Sequence, residues 1–384
     1  MNLTPFVNGA PVNPWRQNAD PIGWWTRQID PHALDLIAEG FRSGNVSYGT
    51  FGRELESAIC LELGMPFATV VTSGSAALLT CLRVLGVGPG DEVIMPTRTF
   101  QATANAAVFL GARVIPIDVD SKRCLMDPGL IEAAITPRTR AIIPVHLNGR
   151  ICEMEKILDI GKRYSVPVIE DAAQALLSRD SAGFAGCFAL AGIFSLGITK
   201  LITSGQGGVI VTRDQSFHNQ VRKFLRHGLA ESPEECYPTF GFNFRLADTL
   251  SAIALGQVRD PNKVRERAKW LYAQYAGLAE SLPWLTLLAC RPSAGEIPTW
   301  IEVLCENRQE LVRHLGARNI ECRSFGPSLH ESEYLNTSID QNQWAQAERF
   351  RNMGLILPSG PGLDQVAWDR ISQALCEWKG SLAV

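Results

Sequence analysis

The 384-residue chain contains no unbroken apolar run close to the roughly 20 residues that a bilayer span requires, so no membrane-spanning segment is expected. It contains no CxxC pair. Ten cysteines are scattered from Cys60 to Cys376 at separations that suit neither a zinc site nor a tight redox motif. No metal is therefore expected, and reduced, mostly buried thiols of a cytoplasmic protein are the simplest reading. No apolar stretch follows a basic start in residues 1–30, so no signal peptide is expected. Clusters of basic residues are also missing. Lys plus Arg is 36 against 39 Asp plus Glu, a formal charge of −3, which provides no global attraction to nucleic acid or an anionic membrane. Neither a GxxxxGK loop nor a GxGxxG fingerprint is present, and internal repeats are absent.

What remains is an ordinary globular composition, 46% apolar and 20% charged, with enough length for two domains at roughly 150 residues each. From Phe67 a repeated grammar begins. Seven short apolar runs (FATVVT, EVIM, ARVIPIDV, RAIIPVHL, VPVIED, GIFSL and GGVIVT) are separated mainly by helical stretches such as AALLTCLRVLGV and MEKILDIGKRYS. Strands alternating with helices predict an α/β domain with a mostly parallel seven-stranded sheet between helices. After about residue 212 the grammar changes to long helices, broken near Pro261, and then to a strand-like IPTWIEVLC and a final helix. The expected organisation is an N-terminal arm over 1–30, a large domain over 31–250 and a smaller α+β domain over 251–384.

In an open parallel sheet, ligands bind beyond the carboxyl ends of the strands. Three such ends carry notable polar groups. Thr72-Ser73-Gly74-Ser75-Ala76 joins a strand to a helix, and its small residues let backbone N–H groups close around an anion, although Ser75 would serve equally as a plain helix cap. Asp171 emerges from the apolar strand VPVIED, where an acid is costly unless it is paired. Lys200 precedes the glycine-rich turn TSGQGG. A phosphate nest, an acid and a lysine at successive strand ends are the parts needed to hold pyridoxal phosphate.

With these segments the chain resembles the DegT/DnrJ/EryC1/StrS group of pyridoxal-phosphate-dependent sugar aminotransferases, of fold type I. The resemblance runs in order through SGNVSYG, VTSGSAAL, GPGDEVIMPTRTFQATANAAVFLGARVIPIDVD, VIEDAAQA, the FSL…K…TSGQGG segment, LRHG and GFNFRLADTLSAIALGQV. It implies that Lys200 is the Schiff-base lysine and that Asp171 partners the pyridinium nitrogen. It further implies that Gln174 lies near the phenolic oxygen, that Phe100 stacks on the ring, and that Ser75, Ala76 and Ser195 hold the phosphate. Asn243 would reach the phosphate from the second subunit of a homodimer, with Arg245 close by and His146 either lining the pocket or serving the core. The implied reaction passes nitrogen from an amino donor, glutamate in the family's usual cycle, through pyridoxamine phosphate to a keto sugar.

Three departures stand out. Gln206 replaces the usual acid of TGEGG, SGS replaces SGT, and Arg98 stands where a small or apolar residue is usual. Arg98 could grip a substrate carboxylate or phosphate, or turn to solvent or to a neighbouring acid. A free keto-sugar acid therefore remains an alternative to a nucleotide-linked acceptor. Lyase or dehydratase chemistry on the same scaffold, and a non-catalytic cofactor- or sugar-binding role, also remain open.

Overall fold

The computed structural model describes residues 20–27, 32–44, 46–229, 239–335 and 341–379. Of the arm expected over residues 1–30, only 20–27 fall among them.

Seven strands build the main sheet: β1 (Phe67–Val71), β2 (Glu92–Pro96), β3 (Arg113–Ile117), β4 (Thr139–Ile142), β5 (Ile169–Asp171), β6 (Ala191–Ser195) and β7 (Gly208–Thr212). Their spatial order is β1-β7-β6-β5-β4-β2-β3. The β4–β5 junction is carried by parallel bridges Ile142–Val168 and Val145–Asp171. All neighbours are parallel except β7, which runs antiparallel to both β1 and β6. Apolar residues alternate between two cores. Val70, Ile94, Ile142, Phe194, Val209 and Val211 face one side, and Val71, Val93, Met95, Ile193 and Ile210 face the other. A sheet buried on both faces needs apolar residues at every position, which is why these strands read as continuous apolar runs.

Helices α1 (Ala33–Arg42), α2 (Thr50–Leu63), α3 (Gly74–Val84), α4 (Ala102–Phe109), α5 (Ile131–Ala134), α6 (Met154–Tyr164) and α7 (Gln215–Phe224) accompany the sheet. Helix α8 (Asp248–Arg259) packs on α1 and α2, with Ala252, Ala254, Leu255 and Val258 in the first core. The boundary expected at 250/251 therefore falls inside a helix of the main core. A second core gathers C-terminal residues from Leu271 of α9 (Asn262–Glu280) onward, together with Ile22. It joins a four-stranded sheet ordered β10-β11-β9-β8, from β8 (Thr286–Leu287), β9 (Ile301–Leu304), β10 (Arg323–Ser324) and β11 (Gly354–Leu357), to α10 (Arg308–Gly316) and α12 (Gln365–Glu377). Helix α11 (Ala345–Met353) leads into β11.

The α2 N-terminus shows how a distant residue completes a local element. Its N-cap position is Gly49, which has no side chain to offer the first-turn donors. Asp248, fully buried at the start of α8, does so instead. Its Oδ1 accepts from the N–H groups of Gly49 (3.0 Å) and Gly52 (2.7 Å), and its Oδ2 from that of Phe51 (3.2 Å). Asp248→Ala strands these buried donors and should lower the unfolding free energy by about 3 kcal/mol. A urea titration against the parent protein measures this, and a change below a few tenths would contradict it.

Candidate active site

The antiparallel placement of β7 brings three strand ends together. Gly208 lies opposite both Val71 of β1 and Ser195 of β6. A Cβ on Gly208 would sit 2.5 Å from the Ser73 carbonyl and 2.7 Å from the Gly74 nitrogen, and one on Gly74 would lie 3.1 Å from the Ser195 Cβ. Only glycine allows this approach, and the result is a cradle walled by backbone at the N-terminus of α3. The cap of that helix is Ser73 and not Ser75. Extended backbone at Ser73 turns its hydroxyl to accept from the Ala76 N–H at 3.1 Å. Ala76, expected to hold phosphate through its N–H, has that donor engaged by the cap. Ser75 is exposed in the first turn, where N–H groups lack helical acceptors. The Ser195 hydroxyl, half-buried at the end of β6, accepts from the Gly197 N–H at 3.2 Å.

Asp171 ends β5 beside β6 and is only 5% exposed. Its Oδ2 accepts from the Thr103 hydroxyl at 2.8 Å and its Oδ1 from the Ala173 N–H at 3.1 Å. Burial pushes its pKa above the ordinary value. The two hydrogen bonds and the nearby Lys200 charge oppose that rise. Thr103 is a site residue that the sequence reading missed. Its signal was its spacing, three residues after Phe100 in the first turn of α4. Phe100 itself is 72% exposed, an open ring face at the loop before α4.

Lys200 lies in the 196–207 loop that links β6 to β7, and its N–H donates to Gly197 at 3.0 Å. Burial lowers its pKa from 10.5 to about 8, while the Asp171 carboxylate pulls the other way. Its amine is thus neutral to a larger extent near neutral pH than that of an exposed lysine. Gln174 is fixed from two sides. Its Oε1 accepts from the Asn148 N–H (2.9 Å) and its carbonyl from the Thr299 hydroxyl (2.8 Å), so the group it can offer a ligand is the amide NH₂.

Two expected pocket residues are placed elsewhere. His146 is fully buried behind Asp171. Its Nδ1 accepts from the Cys152 N–H at 3.2 Å and its Nε2 lies 2.8 Å from Glu170, so the ring is held in the core and does not line an open pocket. Arg98 is not turned to solvent, and among the described residues no acid pairs with it. At 8% exposure its Nη1 donates to the Gly326 carbonyl (2.7 Å) and the Ser328 hydroxyl (3.2 Å), with its guanidinium 5.4 Å from the Phe325 ring centre. It ties the loop before Phe100 to the C-terminal half. Asn243 and Arg245 run beside the end of β1, where Phe244 accepts from the Thr72 N–H at 2.8 Å and Arg245 bridges Val71. Asn243 is exposed and its Oδ1 accepts from the Arg245 Nε at 3.1 Å. Arg245 also lines a cavity of about 220 Å³ with Tyr48, Arg53, Arg222 and Arg226.

The sequence matches the DegT/DnrJ/EryC1/StrS aminotransferase family over residues 27–376. It is 33% identical over 362 residues to a GDP-perosamine synthase of Caulobacter vibrioides, covering 91% of this chain and 95% of that protein. Among solved structures, DesV of S. venezuelae superposes with a TM-score of 0.86 at 31% identity, covering 90% of this chain and 94% of DesV. An aminotransferase of the same family from Brucella abortus does so with a TM-score of 0.86 at 26% identity, covering 91% and 95%.

Reductive methylation by formaldehyde and borohydride requires a neutral amine, so labelling of Lys200 should rise with pH through a midpoint of about 8. Asp171→Asn removes the negative charge that favours the ammonium and should move that midpoint downward. Peptide mass spectrometry across a pH series reads both values. An upward shift in the variant would contradict the coupling.

Proposed function

Because the chain belongs to the DegT/DnrJ/EryC1/StrS aminotransferase family, we propose that it moves the amino group of L-glutamate to a nucleotide-linked keto hexose, with Lys200 and Asp171 as its catalytic residues. Pyridoxal 5′-phosphate is the cofactor of this family. The observation that carries the reading is that the half-buried Lys200, in the loop after β6, and the buried Asp171, at the end of β5, lie close enough for their charges to act on each other, beside a cradle where Gly208 leaves no room for a Cβ.

The residues present fit the cofactor. Asp171 is a desolvated acid whose direct donors are all neutral, and a protonated ring nitrogen would supply the cation it lacks. The Ser73–Ser75 backbone and the Ser195 hydroxyl would take the phosphate, Phe100 would cover one ring face, and the Gln174 amide would donate to the phenolic oxygen. When bound, the cofactor supplies an electron sink and carries the nitrogen between two half-reactions. Asp171 keeps the proton on the ring nitrogen. Lys200 Nζ takes up and returns the proton at the substrate carbon, a task suited to a pKa of about 8. Thr103 holds the carboxylate of Asp171 in place through its hydroxyl.

The GDP-linked sugar in the name of the Caulobacter relative supports a nucleotide-linked acceptor. The free keto-sugar acid rested on Arg98, whose Nη1 donates to Gly326 and Ser328. A homodimer with shared sites completes the proposal. It is supported by the exposure of Asn243 beside Phe240 and Phe242, which are 58% and 40% exposed.

Glutamate should bleach the visible band of the loaded protein (roughly 410–430 nm), and a nucleotide-linked keto hexose should restore it. Failure with every nucleotide-linked sugar, alongside success with a free one, would overturn the acceptor. Mixing inactive Lys200→Ala with Asn243→Ala protein under subunit exchange should recover activity, since one site per hybrid dimer then has both residues. No recovery would refute the shared site.

A further inference from the structure

Two tryptophans outside the catalytic pair converge on the lysine loop. The Nε1–H of Trp25 donates to the Ile198 carbonyl at 3.2 Å, and that of Trp300 donates to the Thr199 carbonyl at 3.3 Å. These are the two residues immediately before Lys200. The Trp300 ring centre also lies 5.3 Å from Lys200 Nζ, within the range at which an indole face attracts an ammonium. A buried indole N–H ordinarily finds some acceptor. Two aimed at consecutive carbonyls of one loop restrict the position of the residue that follows.

Neither tryptophan is anchored by the strand that carries Asp171. Trp25 belongs to a segment pinned to the C-terminal half, where Ser359 N–H donates to Trp24 (2.9 Å) and Thr26 N–H donates to Ser359 (2.8 Å). Trp300 immediately precedes β9. Its N–H donates to Asn148 Oδ1 (2.5 Å) and its carbonyl accepts from Asn148 Nδ2 (2.8 Å), the same Asn148 whose own N–H holds Gln174. Trp24 fills the space between them, 6.4 Å from Trp25 and 6.2 Å from Trp300 between ring centres. The loop needs such outside support. It is flanked by Gly197, Gly205, Gly207 and Gly208, residues with wide backbone freedom, and Gly205 and Gly207 adopt positive φ.

We propose that Trp25 and Trp300 are positioning residues for amino transfer: their indole N–H groups clamp the Ile198 and Thr199 carbonyls from the C-terminal half, and the Trp300 face receives the Lys200 ammonium. Asp171 is placed by β5, whereas the Lys200 loop is held by its flanking strands β6 and β7 and also by the two indoles, so packing against Trp25 and Trp300 contributes to the separation of the pair. The inference rests on Lys200 carrying the reaction, as proposed above.

Trp25→Phe and Trp300→Phe each keep a ring and remove the donor. In the loaded enzyme each should lower kcat about 10- to 100-fold with both KM values little changed, the pattern of lost alignment. Covalent attachment of pyridoxal phosphate to the apoprotein, trapped by borohydride, should slow in each. The double variant should lose less than the product of the single losses, because both donors hold one loop. Unchanged kcat and attachment in both variants, or losses tracked by an equal collapse of secondary structure by circular dichroism, would overturn the proposal. Lys200→Ala distinguishes the two readings. If it still binds the cofactor covalently, the catalytic assignment fails and this inference with it. If it does not, and the tryptophan variants behave as the parent, only the positioning role fails.

Discussion

The site depends on one close approach, the entry of β7 between β1 and β6. Because β7 runs against its neighbours, its first residue meets the last residues of two strands that run the other way. At that point the backbone of Gly208 lies so near Ser73 and Gly74 that a methyl group would overlap them. The cradle, the α3 N-terminus and the turn that carries Lys200 all depend on this contact. Because β5 and β6 run parallel, the loop that leaves β6 puts Lys200 at the same end of the sheet as Asp171.

Burial then acts on the two charges in opposite senses. Desolvation raises the pKa of the Asp171 carboxyl and lowers that of the Lys200 ammonium, because it disfavours the charged form of each. Their mutual attraction offsets part of both shifts. Among the described residues the direct donors to Asp171 are neutral, and the amine beside it has lowered basicity, the features on which the proposed roles rest. Surrounding groups keep this arrangement stiff. His146 and Glu170 fill the space behind Asp171, and Arg98 fastens the loop that leads to Phe100 and Thr103 onto the Gly326–Ser328 segment.

Much of this was legible in the order of residues. The seven strands were visible because a sheet covered on both faces demands apolar residues at every position, and the candidate chemistry was visible because polar groups follow those runs at Thr72–Ala76, Asp171 and Lys200. Lys200 was legible through the glycines that follow it. Thr103 was easy to miss, since one threonine in a helix rich in alanine stands out only by its spacing from Phe100. The cap was misplaced by two residues because Ser73 and Ser75 are chemically alike, and only the extended backbone at Ser73 selects between them. Position 250/251 lies within α8, whose packing on α1 and α2 joins it to the main core.

The amino-acid order alone determined the fold class and the family, and drew attention to Lys200 and Asp171 as candidates, because apolar periodicity and short motifs are local properties of the chain. The partners of long side chains were decided by tertiary structure. Arg98 finds acceptors 228 and 230 residues away, Trp25 holds a carbonyl 173 residues along the chain, and Asp248 caps a helix that begins 198 residues before it. Such contacts depend on where two distant segments are packed, and no local pattern encodes that distance.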